Sequence, residues 1–147
     1  MAPLIILVIS FFIFRALGWV GVAHFHSGQI SLQAALAVMF FFTAWAHFGK
    51  MRADLLKMVP AAFGNASLWV TLTGILEFLG AVGLLLRSTS RIAAYAFIAL
   101  LLAMFPANVL AARRSLTIGG RPATRLDLRI GIQLIFIGAL IASTIAW

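Results

Sequence analysis

Residues 73–86 read "TGILEFLGAVGLLL", an apolar helical run with one carboxylate, Glu77, at its centre. A surface helix of a soluble domain would carry a polar face along its length. This stretch has none, so it fits a helix running through hydrocarbon. The acid then constrains the rest of the fold. A lone charge at mid-membrane depth costs at least about 2.5 kcal/mol, so Glu77 must turn into a helix bundle and find a partner there.

The composition agrees. Of the 147 residues 64% are hydrophobic and 10% charged, with a mean hydropathy of +1.13. A soluble chain of this length could not hide so much apolar surface, whereas a lipid-facing helix need not hide it. Apolar runs near the length of about 20 residues that spans a bilayer occur at roughly 4–23, 31–47, 67–86, 92–112 and 128–146. The expectation is an all-α, polytopic transmembrane bundle of five spans, forming a single domain over residues 1–147. No β-barrel alternation, internal repeat or low-complexity tract interrupts it. The first run lacks a basic flank before it, so a retained helix is expected rather than a cleaved signal peptide.

The formal net charge is +8, from eleven Lys and Arg against three acids. No soluble basic face or groove-reading motif accompanies it, which excludes nucleic acid as the partner. The charges lie in the loops. Lys50, Arg52, Lys57, Arg113, Arg114, Arg121, Arg125 and Arg129 fall on one side, Arg87 and Arg91 on the other, and Arg15 inside the first run. The excess marks the cytoplasmic side, which places the N-terminus inside and the C-terminus outside, with a lipid bilayer as the first partner. The chain has no cysteine. Thiol catalysis, thiolate zinc sites and iron–sulfur clusters are thereby excluded.

Two loops carry structure signals. In "KMRADLLKMVP", Met51, Leu55, Met58 and Val59 recur at helical spacing opposite Lys50, Asp54 and Lys57, predicting a short interfacial helix closed by Pro60. In "SLTIGGRPATRLD", Gly119, Gly120 and Pro122 predict a turn, and Thr124 with Asp127 a capping box for the fifth span.

Helical rise converts position to depth, and both Glu77 and Arg15 fall near mid-span. Arg15 is therefore the expected partner of Glu77, fixing the first span against the third. Such a pair reads either as registry between helices or as part of a ligand or proton site in which Glu77 accepts a proton. Thr73, Glu77, Gly80 and Leu84 share a face, and Gly74, Gly80 and Gly83 permit close approach of a neighbour. Pro106 in "FPAN" predicts a kink that strips the Leu102 carbonyl of its helical partner. Asn108 lies just beyond it. His47, Asn108, Arg129 and Gln133 all fall in the cytoplasmic half, so they are expected around one opening, with Trp45 and Phe48 as aromatic walls. A flat quinone headgroup suits that mixture. Interface anchoring explains the same residues without a ligand. Haem is not expected, because His24 and His26 lie at the opposite end from His47, and no metal site is expected, since His-x-His in a short loop is weak as a ligand set.

As a set, "AHFGKMRADLLKMVP", "TGILEFLGAVGLL", "RIAAYAFIALLLAMFPAN" and "LRIGIQL" resemble, in order and spacing, segments of the DoxX family of small bacterial membrane proteins, in its DoxX-like branch. The resemblance covers about residues 31–147. It implies a four-helix core with the first span as an addition, residence in the bacterial inner membrane, and an association with quinone-linked redox complexes in sulfur or oxidative-stress chemistry. His47, Glu77, Pro106, Asn108, Arg129 and Gln133 match the family's motif positions. Gly131 replaces the family's usual proline, and Phe63 and Gly64 stand where a second proline would follow Pro60. The function expected on these grounds is a quinone-interacting subunit, electron-relaying or non-catalytic, with a soluble redox partner on the basic cytoplasmic loops. Two alternatives remain open: an assembly scaffold without ligand, and a small transporter cycling the Glu77 proton, which needs a homo-oligomer or an aqueous path.

Overall fold

A computed structural model describes residues 2–145. Among the described residues the regular structure is helical, apart from one two-residue strand pairing. Helix α1 (Ala2–Trp19) is followed by a 3-10 turn (Ala23–Phe25), α2 (Gly28–Ala46), α3 (Arg52–Met58), a second 3-10 turn (Ala61–Phe63) and α4 (Ala66–Leu85). Then come α5 (Ser90–Ala103), α6 (Phe105–Arg113), strands β1 (Thr117–Ile118) and β2 (Arg121–Pro122), and α7 (Leu126–Ala142). Helices α1, α2, α4 and the α5–α6 pair are long and apolar enough to cross a membrane. The fifth expected span corresponds to α7. Its 17 residues cover about 25 Å at 1.5 Å each, a little less than the roughly 30 Å of a hydrocarbon core. Ala146, the last residue of that expected span, lies outside the described residues.

Helix α2 is the centre of the bundle. It packs against α1, α4 and α7, and its Phe40 ring stacks on Phe97 of α5 at 3.7 Å. Leu36 and Met39 of α2, Leu84 of α4 and Leu140 of α7 complete a fully buried core. Helix α1 rests on α2 from outside. Leu7 and Gly18 are its buried residues, while Ile5, Ile9, Phe12 and Ile13 point outward as lipid-facing side chains.

The first helix stops four residues short of the expected boundary, and the loop after it explains why. Gly21 adopts φ +102°, a conformation that an L side chain rarely takes. The chain turns there and folds residues 22–26 back over the helix end. Arg15 therefore lies one turn from the end of α1, and its guanidinium donates to the carbonyls of His26 at 2.8 Å and Phe25 at 3.3 Å. It also stands over the Trp19 ring. The expected Arg15–Glu77 pair does not form.

The short helix expected between the second and third spans forms. Met58 is its buried residue, and Val59 turns to extended backbone before Pro60. Asp54 clasps the β1–β2 hairpin, its Oδ2 accepting from the Gly119 amide at 2.9 Å and its Oδ1 from Lys57 Nζ at 3.2 Å. The capping box does not form. The residue before α7 is Arg125, which has no capping side-chain bond. Asp127 instead accepts from the Leu128 amide at 2.9 Å and pairs with Arg125 at 3.1 Å.

The approach of α4 to α5 depends on Gly80. A Cβ there would lie 2.7 Å from the Phe97 ring, and the stack on Phe40 holds that ring in place. Gly80→Ala is expected to destabilise the protein in detergent by about 1–3 kcal/mol through overpacking. Gly131→Ala, with open space around the position, serves as the neutral comparison in the same thermal or denaturant unfolding series.

The Asp54 clasp should depend on pH. Its hydrogen bond from the Gly119 amide, and then the one from Lys57, hold the carboxyl below the ordinary carboxylate pKa. A depressed folded pKa means that the stabilisation is present above the unfolded value, about 4, and is lost as pH falls through the folded value. Protection of the Gly119 amide against hydrogen exchange should therefore fall on acidification below about pH 4. In Asp54→Ala it should be low at every pH.

Candidate functional site

Sequence spacing places His47, Asn108, Arg129 and Gln133 around one opening, but the structure divides them into two clusters. The first joins α2 to α4. His47, immediately after α2, is 5% exposed, as is Glu77. Their Nε2 and Oε1 atoms lie 3.6 Å apart, an ion-pair separation rather than a hydrogen bond. Two local features bring them together. Side chains on a helix lean toward its N-terminus, so Glu77 reaches down α4 toward the end of α2. Gly74, one turn below, leaves the space that His47 fills: a Cβ at position 74 would lie 2.6 Å from the His47 Cβ.

Hydrogen bonding fixes the imidazole. Nδ1 lies 2.8 Å from the Val70 carbonyl and 3.2 Å from Thr73 Oγ1. A carbonyl only accepts, so Nδ1 carries a proton. Nε2 then faces the Glu77 carboxyl, and the contact is favourable when one further proton lies between the two groups, as imidazolium with carboxylate or as imidazole with carboxylic acid. In either form the pair has no net charge, which is what burial in a bundle requires. The other carboxyl oxygen, Oε2, is buried without a hydrogen-bond partner among the described residues.

Arg52 supports this cluster, a role that sequence reading missed by treating it as a loop charge. Its Nη1 donates to the His47 carbonyl at 2.9 Å, while Nη2 donates to Ser67 Oγ and Thr71 Oγ1, each at 2.9 Å. It thus caps the C-terminal end of α2 and ties α3 to the first turns of α4. The signal was present in the sequence: a basic residue shortly after a helix end, followed by hydroxyls at i and i+4 on the next helix.

The second cluster surrounds the break between α5 and α6. The kink expected at Pro106 occurs with Met104 between the two helices and Pro106 in the first turn of α6. The carbonyl taken by a side chain is that of Leu101, one residue before the expected Leu102, and it accepts from Gln133 Nε2 at 3.1 Å. Arg129 Nη1 donates to Asn108 Oδ1 at 2.8 Å and its Nε to the Thr124 carbonyl at 3.0 Å. Helix α7 thereby satisfies one carbonyl in the last turn of α5 and holds the Asn108 side chain of α6. Gln133 Oε1 is buried without a partner among the described residues.

A cavity of about 360 Å³ opens between α4 and the α5–α6 break, floored by α3 and the segment after it. Leu55, Met58, Phe63, Leu76, Met104 and Pro106 are among its apolar walls. His47 and Thr73 supply its polar groups, beside Trp69, whose indole nitrogen donates to the Phe63 carbonyl at 2.8 Å. Asn108, Arg129 and Gln133 do not line it, and neither do Trp45 and Phe48. Trp45 is 76% exposed on the outer surface of α2, and Phe48 is half exposed beside Gly74. Leu72 and Leu76, on the rim, are exposed on the lipid-facing side of α4.

Four membrane-length helices, a buried acid–imidazole pair and an apolar side opening define the chain as a small helical membrane protein. Residues 36–144 match the family model described as "Domain of unknown function (DUF8561)", and the chain belongs to that family. The match begins inside α2 and ends just past α7, so it contains both polar clusters and leaves α1 outside. No curated protein and no solved structure matches the chain.

A double-mutant cycle on unfolding tests the pairing. His47→Ala and Glu77→Ala are expected to couple by about 0.5–3 kcal/mol, as residues in contact do. Arg15→Met and Glu77→Ala should add within about 0.5 kcal/mol.

Proposed function

We propose that this chain is a membrane subunit holding a quinone-type headgroup in the cavity between α4 and the α5–α6 break, at the service of a membrane-associated redox complex. The observation that carries the reading is the cavity itself. It has apolar walls, exposed leucines of α4 along one side, and a histidine backed by a buried carboxyl. A ligand with an isoprenoid tail reaches such a slot from lipid, and its flat head packs on Met104, Pro106 and Leu55. The orphaned Glu77 Oε2 fits a site that exchanges protons, the pair staying free of net charge only when a proton it gives up is replaced by another.

A quinone there would carry electrons and protons between a reduced soluble donor and the membrane pool. The chain lacks cysteine, so the donor belongs to a partner docked on the end bearing Lys50, Arg113, Arg114 and Arg125. The resemblance to the DoxX-like branch supports the same assignment. With it go residence in a bacterial inner membrane, the N-terminus inside, and α7 as a fifth crossing. Homo-oligomers fit the exposed apolar face of α1.

A ligand-free scaffold has support of its own, because His47 and Glu77 lie at the α2–α4 contact, where a neutral pair fixes register. Organic extraction of protein purified in mild detergent, followed by mass spectrometry, separates the two readings. Stoichiometric quinone is expected in the wild type and in Ile135→Ala, on the exposed side of α7. It should fall about tenfold or more in folded His47→Leu and in the cavity-filling Leu55→Trp. Well-folded wild type that carries no quinone and binds none when it is added overturns the proposal in favour of the scaffold.

A further inference from the structure

The end of the bundle opposite α3 holds a second opening of different chemistry. Two adjoining cavities, of about 480 and 420 Å³, share Ile30, Gln33 and Arg87 as walls. The first adds His24, and the second Ser88, Ser90 and Arg91. Their walls are fixed by bonds within the bundle. Gln29 Nε2 and Gln33 Nε2 both donate to the Ser143 carbonyl, at 3.1 and 2.8 Å, tying α2 to the end of α7. Thr89 Oγ1 donates to the Gly83 carbonyl at 2.9 Å and locks the α4–α5 turn that carries Arg87 and Ser88.

These bonds leave the two arginines as the cationic donors of the opening. Neither has a hydrogen-bond or ion-pair partner among the described residues, in contrast to Arg15, Arg52, Arg125 and Arg129. No acidic side chain accompanies them among the described residues. Of the three acids in the chain, Glu77 is buried beside His47 and the other two lie at the far end, Asp54 on Lys57 and Asp127 on Arg125. The N-terminal end of α5, where Arg91 sits and which has no side-chain cap, adds partial positive charge to the same mouth, although the Ser90 amide is bonded to the Leu86 carbonyl at 2.8 Å. A guanidinium presents a rigid fork of donors that matches a tetrahedral oxyanion, and two such forks on one cavity form a clamp.

We propose that this opening binds an oxyanion of the phosphate class, held by Arg87 and Arg91 with the Ser88 and Ser90 hydroxyls as further donors. The ligand is either the phosphodiester of an anionic lipid headgroup or a soluble phosphate compound. The site is separate from the quinone reading and stands without it.

Protein purified in neutral detergent tests the proposal with two probes: inorganic phosphate by calorimetry, and phosphatidylglycerol by native mass spectrometry. Wild type is expected to hold one equivalent of at least one probe. The Arg87→Gln, Arg91→Gln double variant should lose about tenfold or more in affinity for it. Binding of phosphate assigns the soluble source, and binding of phosphatidylglycerol alone assigns the lipid source. Arg87→Lys with Arg91→Lys keeps the charge but not the fork, and is expected to bind between the two. It also provides the comparison if the glutamine pair does not fold. A wild type that binds neither probe, or folded variants that bind as tightly as wild type, overturns the proposal.

Discussion

The structure depends on how one carboxylate is accommodated between α2 and α4. Glu77 lies within the apolar length of α4, where a free charge would oppose insertion. His47 closes the deficit because it lies just past the end of α2, at the level that Glu77 reaches by leaning toward its own N-terminus. With one proton shared between them, the two groups together carry no net charge. Gly74 makes the contact possible by giving up the volume of a side chain where the histidine stem passes. Arg52 then fixes the histidine's backbone and draws α3 against α4. Helix register, the floor of the apolar cavity and the imidazole orientation follow from that one accommodation.

A second constraint acts on the other side of the cavity. Proline at 106 cannot continue the hydrogen-bond ladder of α5, so the helix breaks at Met104 and its last carbonyls need other donors. In hydrocarbon those donors have to come from protein, and α7 supplies one to the Leu101 carbonyl through Gln133, while Arg129 holds the Asn108 side chain of α6. The polar residues of α7 are thus largely committed to the break. The cavity opens where the break and α4 diverge, so its walls are apolar and its polar character comes from the α2–α4 side alone.

The two ends of the bundle differ in the same physical terms. At the α3 end, Arg52, Lys57, Arg125 and Arg129 are engaged in capping and clasping. At the opposite end Arg15 is engaged by backbone carbonyls, whereas Arg87 and Arg91 stand over a polar recess with no acidic side chain beside them among the described residues.

The sequence by itself determined the membrane class, the helical periods to within a few residues, the short helix closed by Pro60, the break near Pro106 and the burial of Glu77. All of these follow from local chemistry: apolar run length, helical spacing, and a proline that has no amide to give. Partner choice was decided only in three dimensions. Arg15 and His47 were both available to Glu77 along the chain, and Arg15 lay closer to the expected depth. The turn at Gly21 brought the 22–26 segment back over Arg15 and satisfied it there. His47, Asn108, Arg129 and Gln133 likewise share a depth, which sequence reveals, but not an azimuth around the bundle, which depends on how α2, α4, α5 and α7 pack. Rise along a helix is fixed by the backbone and can be counted. Rotation about its axis is set by side-chain packing against neighbours, and only the tertiary structure decides it.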